Sequence, residues 1–178
     1  NYLDGKIINV KFRSVQQHPV TGEWNKLFCQ VSPTKPCAPY GIDSINLLRP
    51  DAQPIRQLII TEGEKDRLTL MTCGFPYVLS IANGASTNIE ESHEAFDEWI
   101  QQAGEIIICG DTDRPGRRLV KLLIEQYQTR AKVTTLPQGK KDISEVYEAF
   151  GSREVQRIIA EAQGISDADI YDLSEHKE

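Results

Sequence analysis

Apolar residues are placed in two ways along this chain, and the change falls near residue 54. Before it, Lys6-Ile7-Ile8-Asn9-Val10-Lys11-Phe12-Arg13 opens with an apolar pair and then alternates. Lys26-Leu27-Phe28-Cys29-Gln30-Val31 forms a second such run, with His18-Pro19-Val20-Thr21-Gly22 between them as a turn. Period-two alternation interrupted by a Pro/Gly turn predicts a β-hairpin. Pro33, Pro36 and Pro39 then break regularity, so the first fifty residues read as strands and turns, and Asp51-Ala52-Gln53-Pro54 reads as a boundary. Beyond it, short continuous apolar runs alternate with helical patterns: strand 57–61, helix about 64–73, strand 77–81, helix about 90–102, strand 105–110, helix about 114–129, strand 131–136, then helices at about 142–150 and 152–163. Such alternation implies an α/β fold, a parallel sheet flanked by helices, preceded here by a small β-rich subdomain. The expected division is 1–53 for the β-rich part, 54–164 for the α/β domain and 165–178 for a polar tail. With 178 residues the chain can bury a full core, and since it begins without Met it reads as a piece of something longer. No internal repeat is visible.

Ligands of a parallel sheet bind beyond the carboxyl ends of its strands, and acids collect at two of those ends. The run Glu105-Ile106-Ile107-Ile108-Cys109 leads into Gly110-Asp111-Thr112-Asp113-Arg114-Pro115-Gly116, and Leu58-Ile59-Ile60-Thr61 leads into Glu62-Gly63-Glu64-Lys65-Asp66. Carboxylates two residues apart repel unless a proton or cation lies between them, and hard oxygen ligands suit Mg²⁺ or Mn²⁺. Asp111 and Asp113 are therefore candidate metal ligands. The competing reading is that one Asp caps the helix entered at Arg114-Pro115. Glu64 and Asp66 have a similar alternative, because acids in a first helical turn are favoured by the helix dipole whatever the function.

These residues resemble the Toprim domain, shared by primases, topoisomerases of types IA and II, overcoming-lysogenization-type nucleases and recombination mediators. The resemblance lies in E-G-x-x-D at Glu62–Asp66, D-x-D-x-x-G at Asp111–Gly116, an S-x-x-N-G turn at Ser80-Ile81-Ala82-Asn83-Gly84, and a K-D-x-x-E segment at Lys141-Asp142-Ile143-Ser144-Glu145. The last two are similar to primases in particular. The resemblance implies that Glu62 either binds metal or shuttles a proton, and that Asp111, Asp113 and Asp142 belong to the acidic set, with helix capping the other reading of Asp142. It also implies that Gly63, Asp66, Asn83, Gly84 and Gly116 support the site. The N-terminal segments Gly5–Arg13, Trp24–Phe28 and Tyr40-Gly41-Ile42 are similar to the β-rich half of the RNA-polymerase domain in phage-like and mitochondrial primase-helicases. Lys11 and Arg13, two apart on one strand face, together with Lys26 and Lys141, are then the expected contacts to nucleotide or DNA phosphates. A solvated strand face is the alternative for Lys11 and Arg13.

Charge and cysteines narrow the picture. The net charge of −6 argues against coating nucleic acid by bulk attraction, yet residues 1–49 carry six basic against three acidic residues, leaving −9 for the remainder. Such a distribution would suit a template on the basic part and metal-bound phosphates at the acidic part. Cys29, Cys37, Cys73 and Cys109 have no C-x-x-C spacing, and His18, His93 and His176 are scattered. Reduced thiols and a cytoplasmic setting are expected, with no signal peptide and no apolar run long enough for a membrane.

The resemblance thus implies the catalytic core of a DNA primase. It would make short RNA primers on single-stranded DNA from ribonucleoside triphosphates with Mg²⁺ or Mn²⁺. Zinc-binding and helicase domains would lie elsewhere in the full-length protein or act in trans, and no P-loop is present in this chain. The rivals are a Toprim nuclease or topoisomerase cleavage core, and a non-catalytic Toprim module that binds DNA or protein.

Overall fold

The computed structural model describes residues 2–3, 5–7, 9–31, 39–49, 51, 53–81, 97 and 99–164, apart from the side chains of residues 2, 3, 26, 28 and 30. Its centre is a sheet in which β5 (Ile55–Thr61) and β7 (Ala103–Cys109) run parallel, Ile59 opposite Ile107 and Thr61 opposite Cys109. β6 (Val78–Ser80) lies parallel beside β5, β8 (Ala131–Val133) parallel beside β7, and β9 (Gln163–Gly164) closes the far edge antiparallel to β8.

Unbroken apolar runs suit this position because the sheet is covered on both faces. Leu58, Ile60, Ile106 and Ile108 point into one core. There they meet Ile42 and Ile45 of α1 (Ile42–Leu48), Trp99 and Ile100, and Leu119, Val120, Leu123 and Ile124 of α3 (Arg114–Tyr127). The intervening Ile59, Ile107 and Cys109 point into the other. That second core is formed with Leu70 of α2 (Glu64–Thr72), Ile143 and Val146 of α4 (Ile143–Phe150), and Val155, Ile158 and Ile159 of α5 (Ser152–Ala160). Each such side chain contributes roughly 1.5–3 kcal/mol by leaving water. The consequence is a rigid platform whose strand ends hold the acidic turns.

Several boundaries differ from expectation. β5 and β7 begin two residues early, because Ile55 and Ala103 are buried partners and the polar residues between them satisfy one another across the sheet. Gln57 Nε2 donates to Glu105 at 2.8 Å, and Lys132 of β8 pairs with the same carboxylate. The first fifty residues are not strands and turns alone, since α1 interrupts them. It enters at Gly41, whose φ of 114° favours glycine and where a Cβ would strike the guanidinium of Arg67. Buried Arg67 stacks on the Tyr40 ring at 4.9 Å and donates to Val78 O, while Tyr40 and Ser80 exchange backbone hydrogen bonds.

The expected first strand is split. β2 (Lys6–Ile7) folds back on β1 (Tyr2–Leu3), and β3 (Lys11–Gln17) pairs with β4 (Trp24–Gln30) from Lys11↔Gln30 to Gln17↔Trp24. The turn falls at residues 18–23, as expected. Cys73 and Cys109 are buried free thiols, with Cys109 pushed up to about 12 by burial. Among the described residues no helix is long and apolar enough to cross a membrane. Asn83, Gly84, most of the expected 90–102 helix and the tail 165–178 lie outside the described residues.

Candidate metal centre

β5 and β7 end side by side, so the turns that follow them meet. Each of Glu62, Asp111 and Asp113 offers a carboxylate oxygen, and these three atoms lie within 4.8 Å of one another. All three residues are half-buried. The loop that presents the aspartates can be this tight because residue 116 is Gly: a Cβ there would collide with the Asp111 carbonyl and lie 2.7 Å from Asp111 Cβ. That is the structural reason for the glycine in D-x-D-x-x-G. Gly63 serves differently. Its φ of −111° is open to any residue, but a Cβ would sit 2.9 Å from Asp66 Oδ2.

The capping reading of the D-x-D pair holds for Asp113, which also stands in the carboxylate cluster. Oδ1 accepts from Gly116 N at 2.9 Å and caps α3, while Oδ2 lies 3.0 Å from Lys141 Nζ. Lys141 Nζ is also 3.3 Å from Asp111 Oδ2. The lysine is held near by its neighbours, since Thr112 N donates to Lys141 O at 2.8 Å and Thr112 Oγ1 to Lys140 O at 3.2 Å. Burial, and then repulsion from Glu62, push Asp111 up to about 6 against the pull of Lys141. For Asp113 burial is outweighed by the Gly116 N–H and Lys141, and its carboxyl falls below the ordinary range. Lys141 is raised, chiefly by its hydrogen bond to Asp113.

Asp142 is not among the three clustered carboxylates. Its Oδ1 caps α4 by accepting from Glu145 N at 2.7 Å, and Glu145 Oε2 in turn accepts from Lys141 N at 2.8 Å, one residue before the cap. Asp66 lies buried between α2 and α4, accepting from Ser144 Oγ at 2.8 Å and Ser144 N at 3.3 Å. Burial raises it to about 6 despite those donors. Asp66 thus fastens the E-G-x-x-D helix to the segment carrying Lys141. Ser144 escaped the sequence reading, although its place inside K-D-x-x-E was the available signal.

The expected phosphate-binding residues separate. Lys11 Nζ meets both oxygens of Glu64, at 2.8 and 3.0 Å, and so ties the hairpin to the first turn of α2. Arg13 is solvent-exposed on β3 opposite Phe28, Lys26 occupies the register position opposite Val15, and Lys141 sits at the metal centre itself. The donor set fits a hard divalent cation, being three carboxylates with an ammonium already lodged against two of them.

Residues 59–147 match the Toprim-like family, half of this chain. A primase homolog protein of Arabidopsis thaliana is 25% identical over 89% of the chain. The primase fragment of the bacteriophage T7 primase-helicase is 28% identical with a TM-score of 0.62, covering 75% of this chain and 53% of that one. The zinc-binding and RNA polymerase domains of the Aquifex aeolicus primase share the fold at 19% identity and a TM-score of 0.66, over 97% of this chain and 41% of that one. The chain spans about half the length of the curated relative, 48%. With two acidic turns meeting at the ends of parallel strands and a family match across both of them, this chain belongs to the Toprim-like family, in the form found in primase catalytic cores.

Proposed function

We propose that this chain is the catalytic core of a DNA primase, which synthesises short RNA primers on single-stranded DNA from ribonucleoside triphosphates. The observation that carries the reading is the convergence of Glu62, Asp111 and Asp113 within 4.8 Å at the ends of parallel strands. Similarity to the T7 primase fragment supports it. Bound Mg²⁺ or Mn²⁺ would supply charge neutralisation for the triphosphate and for the entering and leaving oxygens. Asp111 and Asp113 would hold the cation, and Glu62, close enough to raise Asp111, would complete the site. Asp142 acts indirectly, by capping the helix behind Lys141. Exposed Arg13, with Lys26, would contact template phosphate. Zinc-binding and helicase modules would be supplied by the rest of the protein or by partners.

The test uses a short RNA primer annealed to single-stranded DNA, ribonucleotides and Mn²⁺. The chain should extend the primer, and Glu62→Gln should abolish extension while leaving the thermal melt intact. Glu62-dependent nicking of the DNA without nucleotide addition would replace the primase reading with the nuclease one.

A further inference from the structure

Lys141 is in an unusual place for a residue expected to bind substrate. Its ammonium bridges Asp111 Oδ2 and Asp113 Oδ2, two of the three carboxylates that converge at the metal centre. It arrives there from a segment some thirty residues later in the chain, and two hydrogen bonds from Thr112 to the backbone of Lys140 and Lys141 hold that segment against the aspartate loop. The side chain itself remains half exposed, at 51%, whereas that of Asp111 is 13% exposed. Asp111 is therefore held by burial and Asp113, 38% exposed, by the Gly116 N–H at its Oδ1, while the long flexible lysine side chain has solvent to move into. Two cations cannot lean on the same pair of oxygens at these distances without strong repulsion.

We propose that Lys141 is a resident counter-ion, which neutralises the aspartate pair while the site is without metal and is displaced as the cation enters. The inference rests on the metal-site reading given above. In the metal-free chain the ammonium stabilises a loop that would otherwise hold mutually repelling carboxylates. After exchange, the side chain pivots outward about a backbone still anchored by Thr112, so a released ammonium stays beside any phosphate that the site binds. One lysine thus serves two anions in turn, carboxylate first and phosphate second. Because the lysine competes for the carboxylates, it weakens metal affinity while protecting the empty fold.

The test reads metal binding and lysine chemistry rather than activity. Mn²⁺ affinity is measured by calorimetry on the chain and on Lys141→Met, and the reactivity of Lys141 toward an amine-acylating reagent is mapped by mass spectrometry with and without Mn²⁺. Lys132, paired with Glu105 further back in the sheet, is the internal reference. We expect Lys141→Met to bind Mn²⁺ about fivefold more tightly, the scale of a partly exposed ion pair, and to melt at lower temperature without metal. In the unsubstituted chain Mn²⁺ should raise Lys141 acylation severalfold and leave Lys132 unchanged. Mn²⁺ binding that is no tighter in Lys141→Met, or Lys141 acylation that is unchanged or reduced by Mn²⁺, overturns the exchange while the metal site stands. Absence of Mn²⁺ binding by the unsubstituted chain overturns both.

Discussion

The β3–β4 hairpin and the β5–β7 pair are both seven-residue strands in register, yet they are built for different work. In β5 and β7 the apolar residues are buried on both faces, and the strand ends deliver Glu62 and Asp111 to one place. The hairpin leaves its apolar residues in water: Phe12 is 56% exposed and Trp24 67%. Among the described side chains of this two-stranded ribbon none is buried, and such a ribbon is marginal by itself. The Lys11–Glu64 ion pair fastens its base, and the Tyr40–Ser80 bridge fastens the chain that follows it to the sheet. The difference teaches that the position of the carboxylates is dictated by packing, whereas the exposed apolar surface of the hairpin can change at little cost to the fold.

The largest effect that would break this comparison is on stability. Ile107→Ala removes a fully buried side chain at the centre of β7 and should cost about 3–4 kcal/mol. Phe12→Ala, on the exposed ribbon, should cost less than about 0.5 kcal/mol. Urea unfolding of both variants measures the contrast, and comparable losses would mean that the hairpin carries core energy after all.

A smaller effect sharpens the comparison at the metal centre. Asp66 and Asp111 are both raised to about 6, above the ordinary aspartate value near 3.8. The folded chain therefore keeps protons that the unfolded chain has already lost. Metal-free stability should fall as pH rises from about 4 to about 6, and the deficit should be fully present above that window. Asp111→Asn removes one of the two groups, so it should flatten that slope and stabilise the metal-free chain at pH 7 by about 1–2 kcal/mol. Asp113→Asn should do the opposite by a few tenths, because Asp113 is lowered and its pairing with Lys141 is lost. Both should shrink the rise in melting temperature on adding Mn²⁺. Thermal melts across pH 4–8 decide, and a destabilised Asp111→Asn would show that Asp111 serves the fold rather than a cation.

What the sequence could disclose follows the same division. Continuous apolar runs ending in acids made β5, β7 and their turns legible, because burial on both faces and ligation at the tip both act within a few residues. The helix α1 was hidden by Pro33, Pro36 and Pro39, although Ile42 and Ile45 carried a helical spacing. The edge strand Gln163–Gly164 has no side-chain pattern to announce it. Least legible were pairings across long separations. Lys141 against Asp111, Asp66 against Ser144 and Lys11 against Glu64 depend on how turns meet in space, which no local periodicity records.

That last pair leads to the smallest effect. Lys11 and Arg13 share a strand face and look alike in the sequence, and Lys11 is set on Glu64, with both carboxylate oxygens in reach. If Lys11 is the clasp of the hairpin, Lys11→Ala should lower stability by up to about 1 kcal/mol, the scale of a half-exposed ion pair. It should leave the salt dependence of single-stranded DNA binding unchanged. Arg13→Ala should lower that salt slope by about 0.7, the value for one phosphate contact on a single strand. Fluorescence anisotropy with a labelled oligonucleotide across a salt series, paired with thermal melts, separates the two roles. A slope that falls in Lys11→Ala as well would place both residues on the nucleic acid, with the Glu64 contact released on binding.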